Sequence, residues 1–304
     1  MKRPFKKLSP SKQRELDRYV EIVEESFAKA TATKRAERLK DGRILKIILY
    51  GSYARGDWVH DPVGRYFSDF DLLVIVDHED LTDAEYWTEA NDRLMEQVSL
   101  GASRTPTELI VHSLDDVNWK LEHGRPFFID IVREGIVLRD TPGVALSDPS
   151  PLSPTTALDE TIAYVEEWKT SYRGFSRTAQ FQISDENPKL AAFSLHQATE
   201  ALYQGLLLTL TLYTPKSHNL VHLRNMTEGL ESRLRDVWPH ETKFQKRCFE
   251  LLRAAYVKAR YSRHYRITEE ELAWLTERIE VLRGIVADAS EAQLARLRAA
   301  AGDA

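Results

Sequence analysis

Two short apolar runs, each joined to a polar motif, constrain the first half of this chain more than any other feature. Ile44-Leu45-Lys46-Ile47-Ile48-Leu49-Tyr50 runs straight into Gly51-Ser52-Tyr53-Ala54-Arg55-Gly56. Ser68-Asp69-Phe70-Asp71 opens straight into Leu72-Leu73-Val74-Ile75-Val76. Both runs read as largely buried strands. A glycine where a strand stops lets the backbone take an unusual φ and approach a ligand closely. Ser52 is expected to cap a short helix over Tyr53-Ala54-Arg55. Free N–H groups at such a start, with the Ser52 hydroxyl and the charge of Arg55, form an anion site.

Residues two apart in an extended chain share a face, so Asp69 and Asp71 project together. Two carboxylates that close repel unless a cation lies between them. Mg²⁺ takes carboxylate oxygen and keeps bonds to waters and substrate phosphates. A third acid is expected from a neighbouring strand, and Glu108 in Thr107-Glu108-Leu109-Ile110-Val111 is the candidate, as metal ligand or as base on an acceptor hydroxyl. Gly-Ser after a strand is ordinary alone, and so is Asp-x-Asp. Their joint occurrence, each on its own strand within one small unit, points to a site holding a nucleoside triphosphate, with Gly51, Ser52, Arg55 and Ser68 on the nucleotide. Asp57 and Asp61 between the motifs read as solvated.

The set Gly51, Ser52, Asp69 and Asp71 resembles, position for position, the nucleotidyltransferase superfamily related to DNA polymerase beta in its minimal form. The family pattern is Gly-Ser, a short helix, Asp-x-Asp and a later acid on another strand. Two departures stand out: a longer loop from Asp57 to Phe67, and Glu where the third acid is more often Asp. The resemblance covers about Arg43 to Asp140 and implies an α/β domain, a small mixed sheet with flanking helices, that uses Mg²⁺ and ATP or another NTP.

With 304 residues the chain is long enough for two domains. Charged residues at 29% against 42% hydrophobic fit a soluble globular protein, and no apolar run approaches the roughly 20 residues that span a bilayer. The basic start, Met1-Lys2-Arg3-Pro4-Phe5-Lys6-Lys7, has no apolar core behind it, so no secretory signal is expected. The lone Cys248 sits in an apolar helical stripe and cannot pair internally, which fits a cytoplasmic location. Residues 1–43 carry 13 Lys+Arg against 7 Asp+Glu, a net +6 that leaves −11 on the rest. That overall balance argues against a dedicated DNA-binding protein. Leu16, Tyr19, Val20, Val23 and Phe27 recur at helical spacing, so residues 1–42 read as a basic helical segment packed on the catalytic domain.

Thr82–Leu100 and Leu114–Glu122 read as helices, Glu108–Val111 as a third strand and Gly135–Arg139 as a closing strand, so the domain spans 43–140. Residues 141–156, with Pro142, Pro149, Pro151 and Pro154, read as a linker. Beyond it, Ala157–Phe181, Lys189–Tyr213, Leu220–Leu230, Glu241–Tyr261 and Glu269–Leu297 carry helix-spaced apolar residues, which makes 157–304 an all-α bundle. Arg253, Tyr256, Arg260 and His264 share one face if their helix continues that far, and His218 lies in a separate loop. Arg and His placed so could act on a phosphodiester.

This half is similar to the HEPN family, helical domains found beside minimal nucleotidyltransferases in prokaryotes. The stretches that carry the similarity are Leu195-His196-Gln197-Ala198-Thr199-Glu200-Ala201-Leu202, Ser217-His218-Asn219-Leu220 and Ala255-Tyr256-Val257-Lys258-Ala259-Arg260-Tyr261. HEPN ribonucleases carry Arg, four to six residues, then His; Arg260 and His264 have three between them. The resemblance implies homodimerisation through the helical half and binding of nucleotide or RNA. In two-gene relatives of toxin–antitoxin type, the nucleotidyltransferase adds AMP to a tyrosine of its HEPN partner, which makes Tyr261 and Tyr265 candidate acceptors. An aminoglycoside-like small molecule is a further acceptor class. The leading expectation is a Mg²⁺-dependent nucleotidyltransferase acting on a hydroxyl. The alternative is a HEPN protein that binds or cleaves RNA, with a nucleotide-sensing first domain.

Overall fold

The computed structural model describes residues 8–32, 34, 36–58, 60–61 and 66–302, giving backbone alone at 37, 38, 60, 61, 66 and 67. The chain divides into two compact units, Met1–Pro151 and Leu152–Ala304.

In the first unit, α1 (Pro10–Ala32) precedes the four-residue α2 (Glu37–Lys40). Strand β1 (Ile44–Tyr50) leads without a loop into α3 (Gly51–Arg55). A two-stranded ribbon, β2 (His60–Asp61) with β3 (Tyr66–Phe67), occupies the inter-motif loop. There follow β4 (Phe70–Val76), α4 (Thr88–Ser99), β5 (Thr107–Ser113), α5 (Leu114–Glu122), α6 (Pro126–Glu134) and β6 (Ile136–Asp140). The sheet order is β5-β4-β1-β6, with β4 and β5 parallel and the other pairs antiparallel. Alternation sends Ile47, Leu49, Leu72 and Val74 to one face, where they pack with Leu16, Tyr19, Val20, Val23 and Phe27 of α1. Ile48, Leu73 and Ile110 are cross-strand neighbours on the other face. That face is covered by α5 and α6, whose Val117, Leu121, Phe128 and Ile131 are buried.

The helix expected over Thr82–Leu100 begins only at Thr88. The preceding residues form two 3-10 turns, because Trp87 is buried and its indole N–H donates to Leu81 O at 2.7 Å, folding the chain back on itself.

The second unit holds α7 (Pro154–Ser184), α8 (Pro188–Thr211), α9 (Leu220–Glu228), α10 (Lys243–Tyr261) and α11 (Glu269–Ala301). Pro154, read from the sequence as linker, is the first residue of α7, with Ser153 capping it through a bond from Thr156 N. Capping boxes at Thr242/Gln245 and Thr268/Glu271 set the starts of α10 and α11. The core is threaded by α8, which packs on α7, α10 and α11 and is buried along most of its length. Gly205 makes one of these contacts possible: a Cβ there would overlap the Trp168 side chain. Among the described residues no helix is long and apolar enough to cross a membrane.

Candidate active site

Three side chains form a row across the sheet. Tyr50 is the register partner of Asp71 in the antiparallel β1–β4 pair, and Asp71 is the partner of Glu108 in the parallel β4–β5 pair. Directly paired residues point to the same face, so Asp71 and Glu108 lie side by side on the face that α5 and α6 cover. Phe127 of α6 meets the Tyr50 ring at 5.5 Å between centroids. Asp69, two residues before Asp71, is buried beside Ser68.

The glycine turn is built against this row. Gly51 has φ +70°, and a Cβ on it would overlap Asp71 Oδ2. Gly51 and Asp71, 20 positions apart in sequence, are thus in direct contact. Ser52 does not cap a helix, contrary to the sequence reading. The helix starts at Gly51, Tyr50 is the N-cap residue with no side-chain bond, and Ser52 O already accepts from Gly56 N at 2.8 Å. Gly51 adopts a φ closed to most residues, which lets the chain turn one residue earlier than a Ser cap would. Arg55 is exposed and paired with Asp57 at 3.2 Å, and its charge also reaches Asp71. The backbone of Asp61 is described, but its side chain lies outside the described residues.

Burial is the largest influence on the acids. It pushes the Asp71 carboxyl well above the usual range, aided by the charges of Asp69 and Glu108 and opposed by Arg55. It raises Glu108 to about 8, again with Asp69 adding repulsion. Among the described residues no group of three or more His, Cys, Asp and Glu is arranged to hold a metal ion. The donor chemistry nevertheless fits Mg²⁺: hard carboxylate oxygens crowd together, and a divalent cation would relieve their repulsion. Asp69 and Asp71 are the residues that could hold it, with Glu108 paired beside Asp71.

Behind the site stands a half-buried polar clamp that sequence reasoning missed. Glu15 of α1 accepts bonds from Lys12 Nζ (2.8 Å), Ser103 Oγ, Arg104 N (2.6 Å) and both Thr105 N (3.0 Å) and Oγ1 (3.1 Å). Tyr19 donates to Thr105 O at 2.6 Å. No local pattern could signal contacts spanning 84–90 positions.

In the second unit the candidates separate into two groups. His218 Nδ1 lies 3.0 Å from both oxygens of buried Glu200, and its ring stacks on Tyr256 at 4.3 Å. The Arg260 guanidinium lies 4.3 Å from that same Tyr256 ring. His264 is not on their helix face: α10 ends at Tyr261, and Ser262 is extended at φ −98°, ψ 123°. It lines, with Arg247, Arg253, Lys258 and Arg266, a groove of about 590 Å³. The two tyrosines also part company. Tyr261 is 76% exposed, whereas Tyr265 is buried and donates its hydroxyl to Leu251 O at 2.9 Å. As placed, Tyr265 presents no exposed hydroxyl to an incoming nucleotide. Glu200, the orienting partner of His218, was visible in the sequence only as part of the HEPN-like stretch.

Comparison with known families bears on both units. The nucleotidyltransferase domain family matches residues 29–112, a span holding the glycine turn, both aspartates and Glu108. The HEPN domain family matches residues 165–289. The chain joins a nucleotidyltransferase domain to a HEPN domain. No curated protein matches it. The nucleotidyltransferase domain supports transfer of nucleotidyl groups as the general activity, and such domains generally use divalent metal ions.

Proposed function

We propose that the chain transfers a nucleoside monophosphate from an NTP, with ATP the first to test, to a hydroxyl acceptor. The observation that carries this reading is the contact of the Gly51 turn with Asp71, which is itself paired with Glu108. Phosphate binding and carboxylate chemistry would thereby meet at one point. Backbone N–H groups of the turn and the Ser52 hydroxyl would hold the triphosphate. Asp69 and Asp71 would hold Mg²⁺, which supplies neutralisation of phosphate charge. Glu108, whose carboxyl burial raises in the metal-free protein, would lose its proton when Mg²⁺ binds and could then accept the acceptor's proton. The acceptor oxygen bonds to the α-phosphorus, the bond to the β-bridging oxygen breaks, and pyrophosphate leaves. Positioning and electrostatics would supply most of the acceleration.

Tyr261 is the protein acceptor favoured by its exposure, and the same exposure leaves it open to an active site on another copy. Incubation with α-labelled ATP and Mg²⁺, followed by peptide mass spectrometry, tests both layers. Label incorporated by wild type and lost in Asp69→Asn with Asp71→Asn supports transfer; equal label in both rejects it. An AMP adduct on the Tyr261 peptide supports the acceptor, and a clean peptide from an active enzyme removes it.

A further inference from the structure

The family match to the first domain begins at residue 29, yet the α1 side of the clamp, Lys12, Glu15 and Tyr19, lies upstream of it. The segment between α4 and β5 is irregular, turning at Gly101 with φ +71°. The β4–β5 register begins only at Thr107, and before it Ser103 N donates back to Gln97 O at 3.0 Å. Glu15 adds the densest set of bonds to this segment, accepting two backbone and two side-chain bonds from Ser103, Arg104 and Thr105. Burial pushes its carboxyl up, but the bonds from Lys12, Ser103, Arg104 and Thr105 outweigh burial and hold it at about 2. The carboxylate is thus anionic whenever the protein is folded near neutrality.

What the clamp holds is the site itself. Pro106 O accepts the backbone N–H of Phe70 at 2.8 Å, and Phe70 is the residue between Asp69 and Asp71. The Tyr53 side chain, one residue beyond Ser52, lies close enough to Thr105 for that residue to influence its hydroxyl. The Phe70 ring is enclosed by Tyr53 at 4.5 Å, Tyr19 at 6.1 Å and the Lys12 ammonium at 5.6 Å. Both motifs therefore meet one segment, and that segment is fixed from α1.

We infer that Glu15 is a positioning residue for nucleotidyl transfer, acting through Thr105 and Pro106 to set the glycine turn against the aspartate pair. This rests on the transferase reading above. It predicts that loss of Glu15 acts on the metal geometry and the chemical step, not on general stability alone. Partners behind a ligating carboxylate are worth about 10–100-fold in metal affinity or activity.

The test uses the full chain and Mn²⁺ as a paramagnetic probe, titrated with a non-hydrolysable ATP analogue present, alongside kcat and KM for ATP. Glu15→Gln is expected to weaken Mn²⁺ about tenfold and lower kcat about tenfold, with KM for ATP within about threefold. Val23→Ala, a buried α1 change one turn beyond Tyr19 that removes no clamp bond, serves as the control for lost stability. It should leave Mn²⁺ affinity unchanged. Should Glu15→Gln fail to fold, Tyr19→Phe removes the hydroxyl that bonds Ser103 Oγ and Thr105 O in the same clamp and is expected to weaken Mn²⁺ about threefold. If the clamp variant tested matches wild type, or the control loses as much affinity, the positioning role is overturned. Asp71→Asn separates the two claims: Mn²⁺ binding unaffected by that change would sink the transferase reading itself.

Discussion

Asp71 and Glu108 are direct register partners across the parallel β4–β5 pair, and both carboxyls are raised by burial and by acidic neighbours. Removing one charge should relieve the fold while disabling the chemistry. Asp71→Asn is expected to raise the melting temperature of the metal-free protein by a few degrees. It should also abolish the Mg²⁺-dependent shift and cut transfer by at least about 100-fold. Calorimetry with and without Mg²⁺, together with the labelled assay, reads both effects.

Gly51→Ala tests the contact between turn and carboxylate. The new Cβ meets Asp71 Oδ2 at a φ of +70°, so it incurs both left-handed strain and a clash. Destabilisation of about 1–2 kcal/mol is expected from the backbone alone. A misplacement of about 1 Å at the site would lower kcat about 100-fold. Gly56→Ala, also at positive φ but outside the acid row, should show the strain with a much smaller effect on kcat.

Stability of the metal-free protein should depend on pH in opposite senses on the two sides of its optimum. Glu15 is held at about 2 against an ordinary 4.5, so its contribution is complete above about 4.5 and lost as pH falls toward 2. Glu108 is raised to about 8, so in metal-free protein the folded state binds the extra proton between about 4.5 and 8. Stability therefore falls as pH rises through that window. Mg²⁺ displaces the proton, so its stabilising effect should be larger at pH 8 than at pH 6. Melting curves at the two pH values with and without Mg²⁺ check this, and an equal Mg²⁺ effect at both would contradict it.

In the HEPN domain, Gly205→Ala should separate α7 from α8, since a methyl overlaps Trp168. Overpacking costs about 1–3 kcal/mol and helix propensity returns up to about 1 kcal/mol, so net destabilisation is expected. Gly284→Ala in α11, with open space around its Cβ, should instead be neutral or stabilising. Thermal unfolding of the two variants provides the comparison.

The pattern of residues carried much of this architecture because its signals are local. Period-two runs place Asp69 and Asp71 on one face, and the apolar strands mark where the turn must lie. Glu108 was legible only as a candidate, since strand register is a tertiary property; the structure places it opposite Asp71. The Ser52 cap was misread because Gly51 itself takes the turn. His264 left the expected helix face because Ser262 is extended, a choice that helical spacing does not encode. The Glu15 clamp was invisible for the same reason as register: its partners are about 90 positions away.

The most direct measurement is the anomalous signal of Mn²⁺ in crystals soaked with a non-hydrolysable ATP analogue. The account predicts a peak bound by Asp69 and Asp71 and by analogue phosphate oxygens, with the triphosphate resting on the Gly51–Ser52 turn. Nucleotide and metal bound away from that turn and that pair would contradict it.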